Sequence, residues 1–191
     1  MKNIEIEIQV KIENSELLLE FLKKNADFKS EKHQVDTYFS PIHRNFLDKR
    51  PINEWLRLRS SNGKYYITYK DWHTDDEGKS HHCDEYESEV EHIDQLEKIF
   101  KVLNFKPVTT VDKLRKIWIY KDYEVSIDTV QGVGDFVEIE YIGSDETVEP
   151  KSVTAEMIKF LKNIGCGKIE RNYVGYPFQL LFPEEVKFEE Q

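Results

Sequence analysis

The first stretch of the chain alternates without interruption. In IEIEIQVKI, residues 4–12, isoleucine and valine occupy one parity while Glu5, Glu7, Gln9 and Lys11 occupy the other. Period-two alternation of β-branched residues predicts a strand with one apolar face. The same pattern predicts strands at HQVDTYFS, EWLRLRS, KYYITYK, DEYESEVE, KLRKIWIY, YEVSIDTV and DFVEIEYI. Helical spacing marks three other segments. SELLLEFLKKNADF has Ser15 as a candidate N-cap, HIDQLEKIFKVLNF carries Ile93, Leu96, Ile99, Phe100 and Leu103 on one face, and SVTAEMIKFLKNIGCG stops at Gly165 or Gly167. Many strands and a few segregated helices give an α+β class with a large antiparallel sheet or barrel. The polar run Trp72–Asp84, with His73, His81 and His82, reads as a mobile loop, and the acidic PEEVKFEEQ end as frayed or solvent-facing. Trp55, Trp72 and Trp118 read as packing residues.

The polar faces are segregated by sign, strand by strand. Glu5 pairs with Glu7, Glu85 with Glu87, and Glu138 with Glu140; Glu124 aligns with Asp128. Arg57 pairs with Arg59 and Lys113 with Arg115, and Lys70 stands on its own strand. A solvated sheet face mixes signs, because like charges side by side destabilise it. Arginines two apart suit bidentate capture of phosphate or carboxylate. A sheet that closes on itself would enclose these rows, and a charged interior is costly unless ions neutralise it. Carboxylate clusters take hard cations such as Mg²⁺ or Mn²⁺; basic clusters take a polyanion. A polyphosphate meets both demands, and a triphosphate is the smallest common one.

Composition narrows the classes. The 191 residues, 39% hydrophobic and 34% charged, suffice for one folded domain, 1–191. A net charge of −10 argues against general nucleic-acid or anionic-membrane binding. No apolar run approaches the roughly 20 residues of a membrane span. Cys83 and Cys166 are far apart and outside any zinc-like spacing, which fits a cytoplasmic chain without disulfides. Whether it works as a monomer or a homodimer is left open by these features.

In order and spacing the motifs resemble the CYTH family, the triphosphate tunnel metalloenzymes, which includes triphosphatases and class IV adenylate cyclases. EIEIQVKI is similar to its E-x-E-x-K strand, DTYFSPIHRNFL to its D-x-Y-F segment, and LRLR, ITYK, DEYE and VDKLRKIW to its later strands. IDTVQGVGDFVEIE resembles the hairpin of its cyclase-like branch. The resemblance implies a closed antiparallel β-barrel, a triphosphate tunnel with a charged interior and helices outside. Residues from about 168 to 191 would close or flank it. It implies Glu5, Glu7, Asp128, Glu138 and Glu140 as catalytic metal ligands, with Glu85 and Glu87 supporting a second cation. Lys11, Arg57, Arg59, Lys70, Lys113, Arg115 and Arg171 become the phosphate grip. The implied activity is metal-dependent hydrolysis of a triphosphate, with adenylate cyclisation as the alternative and non-catalytic polyphosphate or nucleotide binding as the second. Three departures stand out. Gln9 occupies the family's lysine position, unless the frame shifts to make Lys11 that lysine; His82 or Cys83 stands near a family arginine; and the cyclases' His-Phe element has no counterpart before Glu5.

Overall fold

Strands that alternate charge with apolar residues must put one face somewhere wet or neutralised, and this chain does so by closing the sheet. The computed structural model describes residues 4–145 and 147–191, so the stretch before Ile4, on which the His-Phe expectation falls, lies outside the described residues. Among the described residues the elements run β1 (Ile4–Ile12), α1 (Ser15–Asn25), β2 (Asp27–Pro41), β3 (Glu54–Ser61), β4 (Lys64–Thr74), β5 (Ser80–Val90), α2 (Ile93–Val102), β6 (Phe105–Tyr120), β7 (Tyr123–Val130), β8 (Gly134–Tyr141), α3 (Pro150–Ile164), β9 (Ile169–Arg171), α4 (Tyr176–Leu181) and β10 (Glu189–Glu190). The antiparallel order β1-β5-β4-β3-β2-β6-β7-β8 returns to its start because β8 also pairs with β1. The fold is α+β, an antiparallel barrel with helices outside.

β1 is the closing strand. Ile4–Ile6 pair with β5, Glu7–Val10 with β8, and Val10–Ile12 with β9. Its isoleucine and valine parity faces outward, where Ile8 and Val10 join Val125, Val137 and Ile139 beneath Leu18 and Leu22 of α1 and Met157, Ile158 and Leu161 of α3. α2 covers a second outer patch, with Phe100 packed on Phe39, Leu56 and Leu58. α3 is capped at both ends: the Glu149 carboxylate accepts from the backbone N–H groups of Lys151 and Ser152, and Gly165 takes the left-handed conformation (φ 88°) that stops the helix.

The third apolar cluster lies inside the barrel. Tyr38, Trp55, Val111, Val130 and Phe136 share parity with the charged rows, and Tyr176 and Phe178 of α4 pack among them. The short helix therefore plugs one end, and the charged rows begin immediately beyond the plug.

The segment Trp72–Asp84 is a strand hairpin rather than a mobile loop. β4 continues to Thr74 and β5 resumes at Ser80, with His73 opposite His82. The turn is short because the Asp75 carboxylate accepts from the backbone N–H groups of Glu77 and Lys79, and Gly78 supplies a positive φ of 76°. The chain's end is also more ordered than its composition suggests: Glu189 and Glu190 pair with β9 although both stay exposed. Leu161 is fully buried between α3 and the barrel. Leu161→Ala is expected to cost about 2–5 kcal/mol, read as a lower urea midpoint at an unchanged slope.

Candidate functional site

A cavity of about 310 Å³ occupies the barrel interior beyond the plug. Its walls carry seven carboxylates, Glu5, Glu7, Glu85, Glu87, Glu124, Glu138 and Glu140, and six cations, Lys32, Arg57, Arg59, Lys70, Lys113 and Arg115. Gly175, Tyr176 and Pro177 form the floor at the plugged end. With the buried Asp36 and Asp128 behind the basic pairs, carboxylates outnumber cations in the site.

Two aspartates lie behind the walls and organise the cations. Asp36, 1% exposed, accepts from Arg59 Nε and a terminal nitrogen at 2.7 Å each, with Arg57 at 3.5 Å. Burial alone would raise its pKa, but Arg59 and Arg57 outweigh it and hold the carboxyl well below the usual range. Asp128 is fully buried and accepts from Arg115 Nε at 2.7 Å, Lys113 at 3.1 Å and the Tyr176 hydroxyl at 3.0 Å. Each aspartate thus fixes one basic pair on the adjoining strand. Arg57 also donates to Thr68 and approaches Glu85 and Glu87 at 3.8 and 3.7 Å. Burial and the neighbouring Arg115 charge lower the pKa of Lys113.

The acidic wall is strained electrostatically. Lys70 contacts Glu5 directly and reaches Glu85 at 3.7 Å and Glu7 at 4.0 Å. Against the effect of burial, Lys70 holds the Glu5 pKa down; the buried Cys83 thiol, itself pushed up by burial, donates to Glu5 at 3.2 Å. Glu138 is likewise held low despite burial, by Arg115 and Lys113, and accepts from Gln9 Nε2 at 3.0 Å. Glu7 and Glu140, opposite each other in register, are served less well: Glu7 has only the 4.0 Å approach of Lys70, and Glu140 has no ion pair among the described residues. Burial and then the Glu5 charge push Glu7 well up, and burial with Glu5 pushes Glu140 to about 8.

A CYTH domain family model matches residues 3–173. The chain belongs to the CYTH family. It is 38% identical over 175 residues, 90% of this chain and 97% of the relative, to a Methanocaldococcus jannaschii protein named "Putative adenylate cyclase". The solved structure of the PH1819 protein from Pyrococcus horikoshii OT3 superposes with a TM-score of 0.75 at 27% identity, covering 95% of this chain and 99% of that one. An adenylyl cyclase candidate from Hippeastrum, HpAC1, described as having a dominant triphosphatase activity, shares the fold at a TM-score of 0.66 and 20% identity, covering 96% and 97%.

In this CYTH protein the barrel brings together Glu5, Glu7, Glu85, Glu87, Glu138, Glu140, Arg57, Arg59, Lys70, Lys113 and Arg115. Three residues expected there do not line the cavity. Asp128 is sealed behind it by its two basic partners and Tyr176. Lys11 has the inward parity but lies past the plug, its ammonium over the rings of Phe136 and Phe188 at 4.9 and 4.7 Å. Arg171 pairs with Val10 and takes that residue's outward parity. Lys32, Gln34 and the clamp Asp36 were given no role by sequence reasoning, although the parity of β2 marks them, and Glu124 was placed on a charged row without a role. Trp55 and Trp72 line the cavity, whereas Trp118 is packed in the outer core. Gln9 bridges the plug to the wall: its Oε1 accepts from Gln179 Nε2 of α4 at 2.8 Å while its own amide donates to Glu138.

Among the described residues no three His, Cys, Asp or Glu side chains form a ready-made metal cluster. The donor set is nonetheless all oxygen, and the unrelieved repulsion at Glu7 and Glu140 is what a hard divalent cation would remove. These two groups bind more protons folded than unfolded above their ordinary value of 4.5. Their contribution is complete below that value and is lost as pH rises through about 8 for Glu140. Metal-free protein should therefore lose on the order of 3 kcal/mol between pH 5 and 8.5, and millimolar Mg²⁺ should restore most of it at the upper end, both read by urea unfolding. Arg59→Ala leaves buried Asp36 with only the longer Arg57 contact and should cost about 3–5 kcal/mol, partly recovered by adding Asp36→Asn.

Proposed function

We propose that the protein is a divalent-metal-dependent phosphohydrolase of triphosphates bound in the barrel, with Mg²⁺ or Mn²⁺ as cofactor. The observation that carries this reading is the division of one cavity into aspartate-clamped basic pairs and a crowded carboxylate wall. Because carboxylates outnumber cations in and behind the walls, a polyphosphate is best accommodated together with a cation. α4 closes one end, so the substrate enters at the opposite end, past Lys32 and Glu124.

Arg57 and Arg59, with Lys113 and Arg115, hold phosphoryl oxygens from two sides and balance the charge that grows on the departing diphosphate. Their guanidinium planes are already fixed by Asp36 and Asp128, so little reorganisation accompanies binding. Asp128 acts here as a positioning residue, through Arg115 and Lys113. Glu5, Glu7, Glu138 and Glu140 would hold the cation, with Glu85 and Glu87 at hand for a second. A bound divalent cation supplies Lewis-acid polarisation of phosphoryl oxygens. With water as nucleophile, its oxygen bonds to the terminal phosphorus as the bond to the bridging oxygen breaks; the diphosphate portion departs, the water's proton is released, and the transferred group becomes orthophosphate. Cytoplasmic action on a small-molecule triphosphate fits the free, buried cysteines and the acidic charge.

A second reading, adenylate cyclisation, is favoured by the name of the Methanocaldococcus jannaschii relative. The neutral Gln9 and the triphosphatase activity described for the Hippeastrum protein support hydrolysis. Incubation with Mg²⁺ or Mn²⁺ and either tripolyphosphate or ATP separates them by product. Orthophosphate is expected; cyclic AMP with pyrophosphate would establish the cyclase, and saturable binding without turnover a sensor. Glu138→Gln should lower turnover at least ~100-fold with the fold retained by circular dichroism, and undiminished activity would remove the metal assignment.

A further inference from the structure

A groove of about 470 Å³ lies on the outside of the barrel, beneath α3 and beside the β5 and β9 edges of β1. On a chain of net charge −10 its lining is basic: Lys79, Lys151, Lys159, Lys162 and Arg171, with Glu77 as the one carboxylate. Some of this charge is spent. Lys79 pairs with Glu189 at 2.9 Å and Glu77 at 3.3 Å, Lys159 with Glu156 at 3.4 Å, and Lys151 approaches Asp75 at 3.9 Å. Lys162 and Arg171 have no ion pair among the described residues.

Arg171 is 4% exposed, a buried guanidinium whose carboxylate neighbours, Glu7 and Glu189, make no ion-pair contact with it. It donates one terminal nitrogen to the Ser80 carbonyl at 3.1 Å and lies over the Tyr173 ring, while its Nε has no partner. A buried unpaired cation is costly and marks a place where an anion would be stabilised. Backbone geometry brings a second polar side chain to the same groove. The register between β4 and β5 slips by one residue between the His73–His82 and Thr74–Ser80 pairs, leaving His81 unpaired in a bulge. Bulges re-aim side chains. His81 accordingly leaves the interior parity of Cys83 and Glu85 and meets Thr154 of α3 through Nδ1 at 2.8 Å, while its buried Nε2 makes no hydrogen bond and stands 3.8 Å from the Asp75 carboxylate.

We propose that this groove is a second ligand site, separate from the barrel interior, for a small phosphoryl oxyanion. Arg171 and His81 form its floor, and Lys162, Lys159 and Lys151 its rim. The crevice that runs from Arg171 along the seam to Glu7 and Gln9 measures only about 30 Å³, room for a water but not for a phosphoryl group. A ligand here is therefore not a substrate in transit. The inference goes beyond the proposed activity and does not depend on it.

The full chain, labelled with ¹³C-histidine and ¹⁵N-tryptophan, is titrated with inorganic phosphate and, separately, pyrophosphate at constant ionic strength. The His81 ring signal is assigned by its loss in His81→Gln, and the Trp72 indole reports on the barrel cavity. Saturable movement of His81 is expected, weakened roughly tenfold or more in the exposed double variant Lys159→Glu/Lys162→Glu, while the Trp72 response is unchanged. Phosphate alone saturating the His81 response assigns a single phosphoryl group to the site; a response to pyrophosphate only assigns a diphosphate. Movement of Trp72 without His81, no movement of either, or an unweakened His81 response in the double variant would overturn the proposal.

Discussion

Closing a sheet into a barrel turns every second side chain toward a shared interior, and here that interior is charged. Such a centre is stable only if each charge finds a partner before any ligand arrives. Asp36 and Asp128 supply the decisive partners. Each sits behind the wall with almost no exposure and pairs with two cations of the adjoining strand. The cations are thereby held rigidly with part of each head group still facing the cavity. Their hydrogen bonds to the aspartates cannot be lost cheaply, because either aspartate would be left as an uncompensated buried anion.

The acidic side is built on the opposite principle. Lys70 is shared among Glu5, Glu7 and Glu85, one ammonium for three carboxylates. The deficit surfaces at Glu7 and Glu140, whose carboxyls are pushed up by burial and then by the Glu5 charge. One wall is complete in itself and the other needs an added positive charge. This asymmetry gives the cavity its chemical direction: the polyanion is gripped from the finished side and the cation is drawn to the unfinished one.

The charged rows were legible in the sequence because alternation and sign segregation are local properties. Glu5 with Glu7, Arg57 with Arg59 and Glu138 with Glu140 needed only parity to be placed together. Closure made parity sufficient, since every inward residue of the charged section reaches the same space. What parity does not convey is depth along the barrel. Lys11 and Asp128 share the inward face, yet one lies beyond the plug and the other behind a pair of cations. The plug left no readable signal of its own, because YPFQLL is too short for helical periodicity and gains its structure by packing on Phe136 and Trp55. Arg171 was misplaced for a related reason: β9 spans only three residues, too few for an alternation to reveal which face it presents. The His-rich hairpin was misread because its polar residues are cross-strand neighbours, which composition alone cannot distinguish from a loop.

Gln9 shows how the plug and the chemistry are joined. A lysine there would place another ammonium beside Glu138, already served by Arg115, and near Lys113, whose charge is already disfavoured by burial and by Arg115. The amide adds no charge and instead uses both of its ends, accepting from Gln179 and donating to Glu138. The carboxylate at the centre of the acidic wall is thus tied to the helix that closes the barrel. Movement of α4 would disturb Glu138 through Gln9 and Asp128 through Tyr176 at once, so the position of the plug is coupled to both walls of the site.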